Sequence, residues 1–465
     1  MAIWLPDLQN RTGPKYLQIV EAMAEDIASG RLADGTQLPP HRELAYQLGV
    51  SANTTSRAYA EAVNRALLRG EVGRGTFVRA ARPSVPGSAP ESLQRASQGP
   101  IDLSRNLPLP GLAEPHVRRV LRQLAAEDSQ LPALLDYQTE QDLLHHQQAG
   151  QNWLAACGVT AEPEDILPVI GGQHALHSLL VGVLRPGDLL LTEALTYPPV
   201  LAMAAALGLQ TKAVAMDGAG VLPDAFEAWC QEAKPKAFYL TPTLQAPTTV
   251  TLSASRRTQI AAIAQRYGVL LIEDDVFGPL HPAKPPPLVQ FAPDHTAYVT
   301  SLSKSVAPGL RVGFLTLPRR LKAAVQQAIT MSVWMTPPMT LEVATRLVAD
   351  GTAALLTQQQ RRIVAQRQAM AQQCLGAEWV PDLRDGHHLW LPLPSDWRAD
   401  VFVAECARAG ALVTEGRAFA HVPNAAPNAI RLCLSHEAEE TRLRQGLETV
   451  AGLLQQKPSG SALVI

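Results

Sequence analysis

Lys304 sits in the run Ser301-Leu302-Ser303-Lys304, with Arg311 seven residues on, behind Pro308-Gly309-Leu310. A lysine that attacks a carbonyl carbon must first lose its proton, which requires a buried or electropositive setting. The hydroxyls of Ser301 and Ser303 and the guanidinium of Arg311 form a set suited to a phosphate near that amine. Taken alone, such a lysine is far more often a solvated loop charge than an imine-forming nucleophile. Three further clusters shift that balance. Ile170-Gly171-Gly172-Gln173-His174-Ala175-Leu176 is a glycine turn between a strand and a helix, and free backbone N–H groups at a helix start bind phosphate. Leu271-Ile272-Glu273-Asp274-Asp275 ends an apolar run with carboxylates, at the strand edge where α/β sheets bind ligands. One such carboxylate can keep a pyridine nitrogen protonated, which makes the ring an electron sink. Thr196-Tyr197-Pro198 places an aromatic ring in a loop after another strand, suited to stacking on a cofactor. Each cluster alone reads as a turn, a cap or a surface tyrosine; all four in this order are hard to assign to chance.

A second set of residues suits nucleic acid. Ser51, Asn53, Thr54, Thr55, Ser56 and Arg57 open a helix expected over about Ala52–Leu67, and short polar groups there reach phosphates and base edges. Before it, Tyr16–Ser29 has a helical face at Leu17, Val20, Met23, Ala24 and Ile27, closed by Gly30. His41–Leu48 is a second short helix, with Pro40 in its first turn and Gly49 as its breaker. Ser51 is placed to cap the third helix. Helix, tight glycine turn, helix is the helix-turn-helix pattern, whose second member enters the major groove. Glu71–Val78 reads as a glycine-punctuated hairpin with Arg74 at its tip. From 41 to 80, six arginines stand against three glutamates, a local excess that the overall charge of −2 conceals.

These clusters need different scaffolds. The 465 residues imply more than one domain. Residues 81–100, rich in Pro, Ser, Ala and Gly, have linker composition. From Ile101 on, apolar runs at Ile166–Ile170, Leu189–Leu191, Ala237–Leu240, Val269–Ile272, Tyr298–Leu302 and Val312–Leu315 alternate with helical patterns. That alternation predicts an α/β domain with a mainly parallel sheet. Strands near Leu389–Leu391 and Ala429–Leu434 predict a smaller α+β subdomain at the C-terminal end. The expected division is therefore 1–80, a linker over 81–100, and 101–465. The five cysteines have no metal-type spacing, so reduced cytoplasmic thiols are expected. The N-terminus has no signal-peptide pattern, and no apolar run approaches the ~20 residues that span a bilayer. The pairs His145/His146 and His387/His388 are adjacent rather than four apart, and no metal site is expected.

Residues 15–79 resemble the winged helix of GntR-type regulators, with Gly30–Ser51, Asn53–Tyr59 and Gly73–Val78 matching its motifs. Residues 101–455 resemble a fold-type I aminotransferase dependent on pyridoxal 5′-phosphate (PLP). The whole chain thus resembles the MocR/GabR-type transcription regulators. The resemblance implies that Lys304 forms the Schiff base with PLP and that Asp274 pairs with the pyridine nitrogen. It implies stacking by Tyr197 and a phosphate held by Gly172, Gln173, Ser301, Ser303 and Arg311. Arg431 matches the arginine that binds an α-carboxylate, and Tyr137 matches a residue that reaches the partner's site. On the DNA side it implies contacts from Arg42, Ser51, Asn53, Thr54, Thr55, Arg57, Tyr59, Arg74 and Gly75. Ala52 stands where the family often has arginine.

Two departures bear on chemistry. The family's Asn-Pro-Thr-Gly is here Ala246-Pro247-Thr248-Thr249, and the acidic pair continues as Val276-Phe277 rather than with a tyrosine. Both usual hydrogen-bond donors to the cofactor's O3′ are missing. The expectation is a cytoplasmic homodimer, with a domain-swapped arrangement permitted by the linker, that binds a double-stranded operator. It would sense a small amine or amino acid through Lys304 with little transaminase turnover. A working aminotransferase with a DNA-binding appendage is the alternative, and a sensor of the vitamer itself a third.

Overall fold

A computed structural model describes residues 4–8, 13–28, 31–33, 35–64, 67–71, 75–78, 99–127, 130–382, 385–422 and 425–456. The chain divides into two units, Met1–Ser88 and Ala89–Ile465. The expected linker lies outside the described residues except at its last two positions, as do Gly30 and Arg74.

Among its described residues, the first unit has three helices, α1 (Lys15–Ala28), α2 (His41–Leu48) and α3 (Ala52–Asn64), and the antiparallel strands β1 (Leu68–Glu71) and β2 (Gly75–Val78). Ile19, Val20 and Met23 of α1 close over Leu44, Ala58, Ala62 and Val78. Gly49 ends α2 at φ 61, with its N–H on the carbonyls of Ala45 and Tyr46, a left-handed cap that favours glycine. Ser51 Oγ accepts the Thr54 N–H at 3.1 Å, capping α3. Its described part ends at Asn64, residues 65–66 lie outside the described residues, and Leu67 is not helical. Gly75 is required for a different reason: at φ 116 it faces Gln37, whose Nε2 would lie 2.8 Å from an added Cβ.

The second unit opens with β3 (Ile101–Asp102) and, after the helix α4 (Glu140–Ala156), builds a seven-stranded sheet. In chain order its strands are β4 (Ile166–Val169), β5 (Leu189–Glu193), β6 (Gln210–Val214), β7 (Ala237–Leu240), β8 (Leu270–Asp274), β9 (Thr296–Ser301) and β10 (Gly313–Thr316). Across the sheet the order is β4-β10-β9-β8-β7-β5-β6. β5 to β9 run parallel to one another, and β10 runs antiparallel to both β9 and β4. Leu190, Tyr239, Ile272 and Val299 pack on one face and Leu191, Phe238, Leu240 and Leu271 on the other, as expected for strands covered on both sides. The covering elements that matter below are α5 (Gly171–Val183), α6 (Pro198–Ala206), α7 (Arg319–Val333) and α8 (Pro338–Ala349). The smaller subdomain is antiparallel, with β12 (Thr414–Glu415) and β11 (His388–Pro392) flanking β13 (Ala429–Cys433), followed by α9 (Glu440–Leu454). It also takes in the start of the unit, because β3 pairs in parallel with Ala411–Leu412 and Ile101 joins its core.

Candidate functional site

Strands β5, β8 and β9 end at one edge of the sheet, and the loops leaving them surround a cavity of about 180 Å³. Its wall holds Gly172, Gln173, Tyr197, Asp274, Ser301, Ser303, Lys304, Arg311 and Arg431. The fold thus gathers every cofactor and effector residue named from the sequence, over a separation of 259 positions, into one wall.

At one end of the cavity, α5 begins at Gly171, so the N–H groups of its first turn lack intrahelical partners. Arg311, itself at φ 54, folds over that turn and donates to the Ile170 carbonyl at 3.2 Å. A Cβ on Gly171 would lie 2.9 Å from Arg311 Nη2, so glycine is what lets the guanidinium close down. Ser301 and Ser303 complete this end, their hydroxyls 2.8 Å apart. The set is cationic, rich in donors and shaped for a phosphate.

At the centre, Lys304 Nζ donates to the Asn106 carbonyl at 2.7 Å. Burial, reinforced by Arg431, brings its pKa down to about 8. Asp274 Oδ2 accepts the Tyr239 hydroxyl at 2.9 Å. Burial pushes the Asp274 carboxyl up to about 6, so a buried acid waits for a cationic partner. A protonated pyridine nitrogen meets that need. Tyr197, at the start of α6, is half-buried, and burial raises its hydroxyl to about 12. Arg431 donates from Nη2 to the Ser104 carbonyl at 2.6 Å and lies 4.6 Å from the centre of the Phe419 ring.

One corner is apolar. Ala246 and Phe277 form a small buried cluster with Leu244 and Leu280, against which Val276 packs. The Phe277 ring centre is 5.3 Å from Lys304 Nζ. These side chains carry no donor for a ring hydroxyl. The residues present therefore fit the phosphate, the ring nitrogen and the amine-reactive aldehyde of PLP, and leave its O3′ without a partner from this corner.

Several neighbours were silent in the sequence. Tyr239 reads as one apolar residue in Ala-Phe-Tyr-Leu, and Asn106 as one residue in a loop. His387 and His388 both lie beside the site. The His387 Nε2–H donates to the Lys304 carbonyl at 2.8 Å, and Ser435 hydrogen-bonds its Nδ1 at 2.8 Å. His388 Nδ1 pairs with the Asn106 amide at 2.9 Å. His145 and His146 converge with Glu342 of α8 closely enough to share an ion, with ligand atoms within 4.8 Å. His146, however, has both ring nitrogens on Thr345 and Gln138, and Glu342 already holds Arg346 at 2.6 Å. Tyr137 is exposed, its ring 5.8 Å from that of Trp334.

In the first unit, Arg42, Ser51, Asn53 and Arg57 are exposed. Arg57 lies 4.0 Å above the Tyr16 ring and donates to its hydroxyl at 3.3 Å. Gly75 is exposed on β2, and Thr54 is half-buried with its hydroxyl 2.8 Å from that of Ser51. Two expected DNA contacts are corrected. Thr55 is fully buried and donates to the His41 carbonyl at 2.7 Å. Tyr59 is buried and donates to the Pro39 carbonyl at 2.7 Å. The Thr55 hydroxyl binds α3 to the first residue of α2 and the Tyr59 hydroxyl binds it to the turn before α2, so both are taken up inside the unit. The pattern of short polar residues ran past the exposed turn of the helix into its buried face.

Residues 100–446 match the aminotransferase class I and II family, and residues 15–78 match the bacterial regulatory proteins of the gntR family. The chain belongs to the aminotransferase class I and II family and carries a gntR-family regulatory domain ahead of it. It is similar to an archaeal alanine:glyoxylate aminotransferase, with a TM-score of 0.71 and 22% identity over 77% of this chain and 91% of that one. Over nearly its whole length it is similar to regulators. It is 27% identical to the HTH-type transcriptional regulator YdeF of Bacillus subtilis, covering 97% of this chain and 96% of that protein. It is 28% identical to the vitamin B6 salvage pathway transcriptional repressor PtsJ of Salmonella typhimurium, covering 90% and 94%. With the gntR-family winged helix ahead of the aminotransferase fold, the chain has the architecture of the MocR/GabR-type transcription regulators.

Proposed function

We propose that this regulator senses a small amine or amino acid in the Lys304–Arg431 cavity, with PLP as its resident group, and binds operator DNA as a homodimer. The observation that carries the reading is the convergence of Lys304, Asp274, Arg311 and Arg431 on one cavity. When bound, PLP would supply an aldehyde that condenses with primary amines and a ring that draws electrons. The chain's own residues do the rest. Arg311, Ser301, Ser303 and the start of α5 hold the phosphate. Asp274, oriented by Tyr239, keeps the ring nitrogen protonated. Lys304, its pKa lowered by burial, offers a neutral amine. Arg431 holds a carboxylate. Differential affinity of such a ligand for two conformations is what would shift DNA binding. Absorbance titration of the PLP-loaded protein with a panel of amines and amino acids, paired with operator binding, tests the reading. A ligand that changes the spectrum and the operator affinity together supports it, and no such ligand among amines overturns it.

A second reading has a specific observation behind it. The apolar corner at Ala246 and Phe277 holds the ring without assisting its hydroxyl, which suits a site that senses the vitamer itself, and PtsJ is a repressor of vitamin B6 salvage. Operator binding that responds to PLP alone, with no added amine, distinguishes this case. The same corner counts against an efficient aminotransferase, for which brisk turnover of common amino acids would be the sign.

A further inference from the structure

We infer that the adjacent histidines His387 and His388 are positioning residues for Lys304. His387 holds the lysine's main chain and His388, through Asn106, holds its amine, so that the free nitrogen stands at one place in the cavity. The inference rests on the reading of Lys304 as the amine that meets an aldehyde. Both rings are fully buried. They come from the smaller subdomain, whereas Lys304 follows β9 of the large sheet. The His387 Nε2–H donates to the Lys304 carbonyl at 2.8 Å, and the Ser435 hydroxyl pairs with its Nδ1 at 2.8 Å. His388 Nδ1 accepts from the Asn106 amide at 2.9 Å, and the Asn106 carbonyl in turn receives Lys304 Nζ at 2.7 Å. The backbone that carries the pair is itself pinned. The Leu434 N–H donates to the His387 carbonyl at 2.7 Å, and Gln368 Nε2 donates to the Gly386 carbonyl at 2.7 Å. The His388 ring rests against Phe277, with ring centres 5.8 Å apart. Burial keeps both imidazoles neutral, bringing His387 down to about 4 and His388 well below its ordinary value. Only a neutral ring can donate from one nitrogen and accept at the other, as His387 does.

A free lysine gives up much rotamer freedom when its nitrogen must meet a carbon at one point. Holding the residue at both ends removes most of that loss before an aldehyde arrives. The hold also suits the chemistry. A neutral amine that donates one N–H to the Asn106 carbonyl keeps its lone pair for the incoming carbon. On capture the nitrogen bonds to that carbon, and the oxygen leaves as water with both amine hydrogens. When a primary amine later takes over the same carbon, the lysine–carbon bond breaks and two hydrogens pass from the incoming amine to the lysine nitrogen. Lys304 is then a free amine again, with both N–H groups, and the Asn106 carbonyl receives it as before. The histidine pair thus serves a site that must reset each time a ligand comes and goes.

The two rings work through different nitrogens, which supplies the test. Asparagine places its side-chain oxygen where histidine has Nδ1, and glutamine places its amide nitrogen where histidine has Nε2. At 388, asparagine should therefore restore what alanine removes, and glutamine should not. At 387, glutamine should restore it, and asparagine should not. The readout is the rate at which the full-length protein captures PLP, followed by stopped-flow absorbance over a pH series, with melting temperatures taken alongside. His388→Ala should lower the plateau rate about tenfold and move the bend of the pH profile down by about one unit. The lysine ammonium then loses a charge-assisted hydrogen bond, while Arg431, Cys433, Asp274 and Arg311 around it are unchanged. His387→Ala should lower the plateau rate and leave the bend in place, since its hold is on the main chain. A merely structural role would lower the melting temperature and the captured amplitude without moving the bend. An unmoved bend in His388→Ala overturns the inference. So does asparagine doing no better than alanine at 388, or glutamine no better than alanine at 387. If the wild-type protein captures no PLP, the cofactor reading fails instead. The same variants are then compared by reductive methylation of Lys304 with formaldehyde and cyanoborohydride, read by mass spectrometry; the same order of rates supports the inference, and equal rates overturn it.

Discussion

Lys304 must be neutral to attack an aldehyde, and its surroundings set how often it is. Burial first, then Arg431 and Arg311, bring its pKa down to about 8. At pH 7 that leaves about one amine in ten neutral, against about one in a few thousand for a lysine at its ordinary pKa. The gain is a few-hundred-fold in reactive amine, obtained without a neighbouring base. The rate of PLP capture should therefore rise about tenfold from pH 6 to pH 7, bend near pH 8 and flatten above it. Stopped-flow absorbance after mixing protein with PLP at a series of pH values measures this directly. Arg431→Gln removes the largest electrostatic contribution to the shift, so its bend should move to higher pH, while burial keeps it below that of free lysine. A rate that climbs without a bend beyond pH 9.5 would refute the argument, because Lys304 would then be titrating as a solvated amine.

Ala246→Asn should tighten PLP binding about tenfold to a hundredfold by supplying a donor to the ring hydroxyl. The same substitution should cost the PLP-free protein about 1–3 kcal/mol, since the amide is then buried among Leu244, Phe277 and Leu280; equilibrium dialysis and melts with and without PLP read the two effects. Asp274→Asn should lose PLP retention yet raise the melting temperature of the PLP-free protein at neutral pH. The folded-state pKa of Asp274 is raised to about 6, so the native state binds more protons than the unfolded chain between about pH 4 and 6 and stability falls as pH rises through that window. The difference between wild type and variant should vanish near pH 4 and reach about 3 kcal/mol above pH 6. Arg57→Ala should weaken operator binding across sequences and reduce the salt slope by about one. Thr55→Val should lower stability without changing that slope, because its hydroxyl serves the His41 carbonyl.

The parts of this fold that were legible in the sequence share a physical reason. Strands β7, β8 and β9 are buried on both faces, so their apolar runs are nearly continuous and their ends carry the polar residues of the site. Gly49 and Ser51 mark the turn and cap of the helix pair because backbone geometry demands those residue types. Strand β6 was missed: Gln-Thr-Lys-Ala-Val lies at the edge of the sheet, where polar residues meet solvent. Nor could the sequence show that β10 runs antiparallel, since an apolar run carries no direction. Thr55 and Tyr59 were misplaced because a hydroxyl that binds a backbone carbonyl and one that binds a phosphate look alike in a sequence. Asn106 acts through its main-chain carbonyl, a group every residue has, so its identity announced nothing.

The apolar corner separates two tasks that an aminotransferase combines. On the proposed reading, affinity for the cofactor would come from the phosphate cradle, the acid at the ring nitrogen and Tyr197, all of which line the cavity. Donors to the ring hydroxyl contribute differently. They stabilise the phenolate and so tune how readily bonds on the condensed amine break, which is a demand of turnover. Ala246 and Phe277 offer no such donor. A sensor benefits from this division, because a ligand that is held but not converted keeps its signal. Lys304 remains able to condense and exchange, which is all that recognition of an amine requires. On the proposed reading, the selective loss at one atom, beside an otherwise complete set of residues, would distinguish a receptor built on this fold from an enzyme built on it.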